Sequence, residues 1–501
     1  MERMKKLILN TGVGILKQVV ALICGFILPR SIILHYGSDV NGFVSSITHF
    51  LGFISLLEMG IGPVIGANLY KPLADKDFTQ ISKIVISSER FFRRIAYIFL
   101  AYIAVLSVIF PVWVNTSYDA VYTVSLIVII SISTLAQYFF GATYQQLLNA
   151  DQKVYIQALL QIITLILNTG LCIVAMELGG SIHVVKLVTA VVFVIRPVGQ
   201  MLYVRKHYKL DKKIKIDGEP IKQKWNGFAQ HVAYVITTNV PIVVLTAFST
   251  FANISIYSVY HNVTNGISTM FMSAASGLES YFGNILAKKE KEIMNRSFAV
   301  IEWVVHFVSS VIFSIVAVTL IPFIKIYTYG FTDANYVEPV FGVLMTLSFY
   351  AMCLRVPYFR VIKAAGHFKE TQIGAFISTG INVVVSLVLV FRFGLMGVAI
   401  GMLSAMLFHT CYFVFYLSKN ILSRSSLIFV RYLICDALIF ALNFIVTGCF
   451  SLGSISYISW FWLAVKVGVV AVVIAVAVNL FVNFNICKGI LKYLRGMVVR
   501  K

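Results

Sequence analysis

Arg196, Lys17, Arg355, His231 and His409 each interrupt a long apolar run. An ionisable side chain is costly in such a setting and usually faces a partner or a water-filled cavity. Together these basic groups have the chemistry of an anion site, because Arg grips an oxyanion through two parallel N–H bonds and Lys acts as a compact point charge. Glu58 and Glu279 are carboxylates in similar surroundings and are candidates for a Na+ or H+ relay. Arg30, near the outer end of the first apolar run, is a candidate gate or surface anchor. Each has a structural alternative: Lys17 can snorkel to headgroups, and Glu58 can pair with a basic neighbour. His261 and His306 read as packed, hydrogen-bonded side chains, and Asp436 and Lys466 as a structural pair or a partner contact.

The elements that must position these residues are membrane helices. The 501-residue chain is 59% hydrophobic and 12% charged, about half the charge of a soluble domain at roughly 25%. Apolar runs of some 20 residues, enough to cross a bilayer core, recur almost without a break. The runs predict about fourteen spans, at 9–28, 43–65, 95–114, 121–141, 154–176, 184–204, 227–248, 254–282, 298–326, 340–359, 373–390, 396–417, 427–452 and 458–482. Runs of this length exceed barrel strands, so helices are the expected form. The basic residues within 1–6 precede a run that continues to Leu28 with no small-residue cleavage pattern, which reads as a first span rather than a signal. Pro63, Pro197, Pro241, Pro322 and Pro357 fall inside spans, and Gly60, Gly62 and Pro63 predict a bend in the second.

Charge placement supports this count. With the N-terminus inside, only Arg30, Lys325 and Arg392 fall in outer loops, and the other loop and tail Lys and Arg residues fall on the inner side. A missed span would invert every later loop, so the positive-inside rule predicts a multi-pass protein of the cell (plasma or inner) membrane with both termini cytoplasmic. The net charge of +21 sits mainly in short loops beside spans. It therefore points to orientation and anionic headgroups, with no nucleic-acid partner. Seven dispersed cysteines support neither a metal site nor a disulfide framework.

An internal repeat organises the spans. The segments beginning YQQLLNADQK at Tyr144 and YFRVIKAAGH at Tyr358 align at one offset, matching Ala150 to Ala364 and Asn168 to Asn382. Near the same offset Asn10 pairs with Asn226 and Asn68 with Asn284. Both copies lead from an inner loop into a helix that ends in a short outer turn, at Gly179-Gly180 or at Gly394. An even number of helices separates the copies, which makes the repeat parallel, with an axis along the membrane normal and a cavity expected between two lobes. The predicted domains are a six-helix lobe at 1–204, a basic loop at 205–226, a six-helix lobe at 227–418, and two further helices with a basic tail at 419–501. Lys17 and His231 fall at near-equivalent positions, as do Arg196 and His409. At the helical rise, Lys17 and Arg196 lie roughly 12 Å from the inner end of their helices.

In its order of spans the chain resembles the polysaccharide flippases of the multidrug/oligosaccharidyl-lipid/polysaccharide exporter superfamily, the transporters of capsule and O-antigen repeat units. The marks are the first-helix exit LPRSIILHYGSDVNGF (Leu28 to Phe43), the second-helix LLEMGIGPVI (Leu56 to Ile65) and the Tyr144 and Tyr358 loops. The resemblance implies an all-α, MATE-like membrane fold whose two lobes move a polyprenyl-diphosphate-linked sugar from the inner to the outer leaflet. A cationic chamber suits that diphosphate. Membrane lipids and polysaccharide-assembly proteins are the further expected partners, and no cofactor is expected beyond a Na+ or H+ coupling ion. Two rivals stand beside this reading. A cation-coupled drug exporter of the same superfamily should concentrate carboxylates at depth, whereas basic groups predominate here. A polytopic enzyme of polysaccharide assembly commonly needs a large outer loop, and the outer loops here are short. A transporter, not an enzyme, is expected.

Overall fold

Every regular element among the described residues is helical, as expected where backbone N–H and C=O groups must be satisfied within their own segment. The structure is a computed structural model, and it describes residues 2–58, 61–114, 118–211, 214 and 228–482. Most of the basic loop 205–226, including Asn226, and the tail from 483 to 501 lie outside the described residues, as does Gly60.

Twelve helices among the described residues are long and apolar enough to cross a membrane. The expected fourteen differ from these at two places. Helix α1 (Glu2–Gly52) runs on through Pro29 and turns at Gly37, where φ is 87° and ψ 168°. Glycine takes that conformation without the steric cost of a Cβ, so one residue does the work of the loop expected over 29–42. The expected spans 9–28 and 43–65 fall on the two helices that meet at this kink within Leu9–Glu58. The expected span 254–282 is instead α9 (Phe251–Ala274), a tight turn at Ala275–Gly277, and α10 (Leu278–Ala287). Ser255, Ser258, Asn262, Thr264 and Asn265 keep α9 below the hydropathy of a spanning helix.

Local sequence explains most boundaries. The second span does change course: a 3-10 turn at Phe53–Glu58 ends the run, and α2 (Ile61–Asp75) starts with Pro63 in its first turn, where proline is tolerated. Helix α3 (Phe78–Trp113) begins where the Asp77 carboxylate accepts the Gln80 N–H at 2.9 Å. Helix α4 (Ala120–Ala136) passes through a π turn, Gln137–Gly141, into α5 (Ala142–Ala150). Helices α6 (Val154–Glu177) and α7 (Ile182–His207) turn at Gly179, φ 75°. After α8 (Phe228–Phe248) and α11 (Lys291–Tyr327) come α12 (Pro339–Leu354) and α13 (Val356–Ala364). Helices α14 (Gln372–Phe393) and α15 (Leu395–Asn420) turn at Gly394, φ 53°, and α16 (Leu427–Thr447) and α17 (Tyr457–Val482) follow.

The chain forms two compact units, Met1–Ser258 and Val259–Lys501. In the first, α6 packs on α1 and α7, and α4 on α7. Helix α8 and the start of α9 join this unit through a polar seam on the second half of α1. Asn41 Nδ2 donates to Ser255 Oγ at 2.8 Å, Ser46 meets Thr246 at 2.6 Å, and His49 meets Asn239 at 2.9 Å. Gly42 permits the approach, since a Cβ there would stand 1.8 Å from the Phe251 carbonyl oxygen. Small residues and interhelical hydrogen bonds hold helices together where lipid removes the hydrophobic drive. In the second unit α15 packs on α12 and α14, while α11 packs on α12, α16 and α17.

Candidate functional site

In the first unit Arg196 is carried by α7, immediately before Pro197. Its Nε donates to Thr164 Oγ1 on α6 at 2.5 Å, and its guanidinium carbon lies 3.9 Å from the centre of the Phe193 ring. Its Nη2 is buried without a hydrogen-bond partner, and no described carboxylate pairs with the charge. A buried, unpaired guanidinium donor is destabilising unless an acceptor reaches it. The free N–H is therefore suited to an oxyanion.

The π turn between α4 and α5 links this arginine to Glu58. A Cβ on Gly141 would stand 2.7 Å from the Pro197 Cβ, so glycine lets the turn press against α7. Tyr138, on the same turn, donates its hydroxyl to Glu58 Oε1 at 2.7 Å. His231 on α8 meets the Ser55 carbonyl at 2.8 Å, on the 3-10 turn that ends in Glu58. Lys17 is half-buried on α1 and has no ion-pair partner among the described residues. Arg30 is half-buried directly after Pro29. No hydrogen bond or ion pair joins Lys17, Glu58, Arg196 and His231 to one another among the described residues.

In the second unit Arg355 stands at the break between α12 and α13. Its Nη1 faces Met406 Sδ at 3.9 Å, and it lies within electrostatic reach of His409, one turn further along α15. His409 Nε2 is buried with no hydrogen-bond partner, and its ring packs 4.5 Å from Phe413. Arg355 and His409 thus stand together. Glu279 has a different setting: Arg360 and Lys363 of α13 approach the same carboxylate oxygen at 3.3 and 3.2 Å. This carboxylate ties α10 to α13 through two cations, whereas Glu58 meets a phenol.

Three further groups stand in the structure; the sequence flags Glu302, His306 and Asp436 as ionisable residues inside spans but not the partners they find, and it does not flag Glu89. Glu302 is wholly buried and takes a two-pronged bond from Arg424, Nη1 to Oε2 at 2.7 Å and Nη2 to Oε1 at 2.6 Å. The Tyr358 hydroxyl donates to the same carboxylate. In the first unit the Tyr144 hydroxyl donates to Glu89 at 2.7 Å, and Arg205 reaches that hydroxyl. Glu89 and Glu302 fall one residue from the Tyr144 to Tyr358 offset, a signal the repeat already contained. Asp436 bonds His306 Nδ1 and the Tyr350 hydroxyl, each at 2.5 Å. It does not pair with Lys466, which lies on the exposed side of α17.

No family model matches the chain, and no curated protein matches it in sequence. Solved structures do match. The lipid II flippase MurJ, in an inward closed conformation, aligns with a TM-score of 0.69 at 15% identity, over 94% of this chain and 99% of that one. An inward-facing multidrug resistance MATE family transporter of the MOP superfamily aligns with a TM-score of 0.58 at 14% identity, over 82% of this chain and 98% of its own. A Vibrio cholerae MATE transporter, VcmN, aligns with a TM-score of 0.54 at 13% identity, over 84% and 98%. The chain has the fold of these flippases and exporters.

Proposed function

We propose that this protein is a lipid-linked oligosaccharide flippase. It carries a polyprenyl-diphosphate sugar from the inner to the outer leaflet of the cell membrane by alternating access, in the assembly of cell-surface polysaccharide. Both termini are on the cytoplasmic side, and the repeat of 1–204 and 227–418 supplies the two moving halves. The observation that carries the reading is a half-buried arginine in each compact unit, Arg196 and Arg355, set among apolar helices with no carboxylate partner among the described residues. A diphosphate supplies the acceptors that these guanidinium groups lack. The likeness to MurJ supports it, spanning 94% of this chain against 82% and 84% for the exporters. Lys17, His231 and His409 complete the cationic lining in this reading, and Arg30 is the gate. Glu58, held by Tyr138, is the candidate for coupling to Na+ or H+.

The test is a reconstituted-vesicle assay that follows a fluorescent polyprenyl-diphosphate sugar into the opposite leaflet. Wild type is compared with Arg196→Ala and Lys17→Ala at matched incorporation. Loss of one charge-assisted contact slows flipping by about tenfold or more in Arg196→Ala. Unchanged flipping in both variants removes the site but keeps the function. An inactive wild type that exports a cationic dye reassigns the chain to the exporters.

A further inference from the structure

The seam between α11 and α16 carries polar side chains that the proposed transport site does not use. At its centre stand His306 and Asp436, 2% and 3% exposed, with Asp436 near the middle of the 21-residue α16. Asp436 Oδ2 meets His306 Nδ1 and accepts the hydroxyl of Tyr350 from α12, each at 2.5 Å. The rings of Phe429 and Tyr432 pack 5.2 and 5.1 Å from the imidazole. His306 Nε2 is buried and has no hydrogen-bond partner among the described residues.

Hydrogen-bond chemistry fixes what this pair can do. An ionised carboxylate only accepts, so the shared hydrogen belongs to Nδ1 and the Nε2 lone pair is free. The pair then carries one negative charge among apolar helices, and its neighbours do not cancel it. Glu302, one turn back on α11, is held by Arg424 of the α15–α16 link and Tyr358 of α13. Tyr350 of α12 and Tyr432 and Cys435 of α16 add no charge at neutral pH. Arg355, at the end of α12, faces Met406 and His409 of α15, and Lys466 lies on the exposed side of α17. A proton on Nε2 makes the pair neutral overall, which an apolar interior favours.

The two ends of the seam differ. Toward the α15–α16 link, Arg424 closes it with a two-pronged bond to Glu302, and a guanidinium does not give up its proton. In the other direction the Ser309 and Ser314 hydroxyls and Asn443 Oδ1 are buried and without hydrogen-bond partners among the described residues. Asn443 Nδ2 reaches the Ser314 carbonyl at 3.4 Å, which places the two helices side by side at that level. Hydroxyls donate and accept at once, so such a row can pass a proton along.

We propose that His306 and Asp436 form a proton-binding site in the second unit. The proton adds to the Nε2 lone pair while Nδ1–H keeps its bond to Asp436, so no bond between heavy atoms changes. In the transport reading, on which this use of the site rests, the proton taken up here drives the cycle independently of Glu58.

The full chain, carrying isotope-labelled histidine and reconstituted in lipid nanodiscs, is titrated by NMR from about pH 5 to about pH 9, the range around an ordinary histidine. One of the nine histidine signals is expected to pass from neutral ring to imidazolium at Nε2 and to be absent from His306→Gln. Asp436→Asn lowers the proton affinity of that ring by about tenfold or more. Should either variant fail to fold, Tyr350→Phe, which keeps both titrating groups, shifts the same signal and identifies it. A His306 signal that stays in one form throughout, or that titrates identically in Asp436→Asn, overturns the site. In vesicles, flipping of the fluorescent polyprenyl-diphosphate sugar is followed with and without an imposed pH gradient. Acceleration by the gradient that is lost in Asp436→Asn supports the coupling. A wild type indifferent to the gradient, or an acceleration that survives in Asp436→Asn, overturns it. A wild type that does not flip at all overturns the transport reading and the coupling with it, while the NMR titration still decides the site.

Discussion

The two halves of the chain build the same three-residue cluster and bury it to different depths. In the second unit Glu302 is 0% exposed, Tyr358 is 0% exposed, and Arg424 closes a two-pronged bond over them while its guanidinium lies 4.7 Å from the Phe298 ring. In the first unit Tyr144 is buried, but Glu89 is half-buried and Arg205 is exposed. The same residue types therefore have different consequences. A buried charge that loses its partner is strongly destabilising, whereas an exposed pair is screened by water and salt. The second cluster acts as a fixed tie among α11, α13 and the α15–α16 link; the first is a tie that water can replace.

The sharpest test is Glu302→Gln, which leaves Arg424 buried without a counter-charge. It lowers stability by about 3–5 kcal/mol, read as a drop in thermal midpoint of the purified protein. Glu89→Gln under the same conditions lowers it by about 1 kcal/mol or less. Equal losses break the comparison. Next in size is Arg424→Lys, which keeps the charge but loses the planar fork and lowers stability by about 1–3 kcal/mol; Arg205→Lys changes it by about 0.5 kcal/mol. Tyr358→Phe removes one buried hydrogen bond at about 1–2 kcal/mol, against about 0.5–1 kcal/mol for Tyr144→Phe. The smallest effect is ionic strength. Raising salt from 0.05 to 0.5 M, both chosen about the usual screening range, shrinks the Glu89→Gln difference and leaves the Glu302→Gln difference in place.

The seam of α1 with α8 and the start of α9 offers a second contrast on the same principle. Gly42→Ala drives a methyl into the Phe251 carbonyl and disrupts the seam, while Gly25→Ala meets nothing within 4 Å. A loss of about 2 kcal/mol or more is expected for the first and a neutral or slightly stabilising change for the second, measured by the same thermal midpoint.

Much of the helical frame was legible because hydropathy is a local property. Spans 154–176, 184–204, 373–390, 396–417 and 458–482 fall within a few residues of α6, α7, α14, α15 and α17. The repeat was legible in the same way: the turns at Gly179 and Gly394 stand where the aligned copies put them. Asn168 and Asn382 are both buried, and their side-chain oxygens face Cys172 and Ser386 one turn on. The joining of α1 across Gly37 was not legible, because a glycine flanked by polar residues reads as a loop. Nor was the setting of the intramembrane charges. Glu58 and Glu279 look alike in sequence, yet one meets Tyr138 and the other Arg360 and Lys363.

The sequence by itself determined which segments leave water, which loops carry the positive charge, and that one half is an echo of the other. These follow from transfer free energy and spacing along the chain, which need no knowledge of neighbours. Only the tertiary structure decided which charges are satisfied. Arg424 and Arg196 are both arginines beside apolar helices, but Arg424 finds Glu302 across 122 residues, and Arg196 finds a threonine, a ring and one unmet donor. Electrostatic partnership falls off within a few ångströms, so it is fixed by helix packing and cannot be read along the chain.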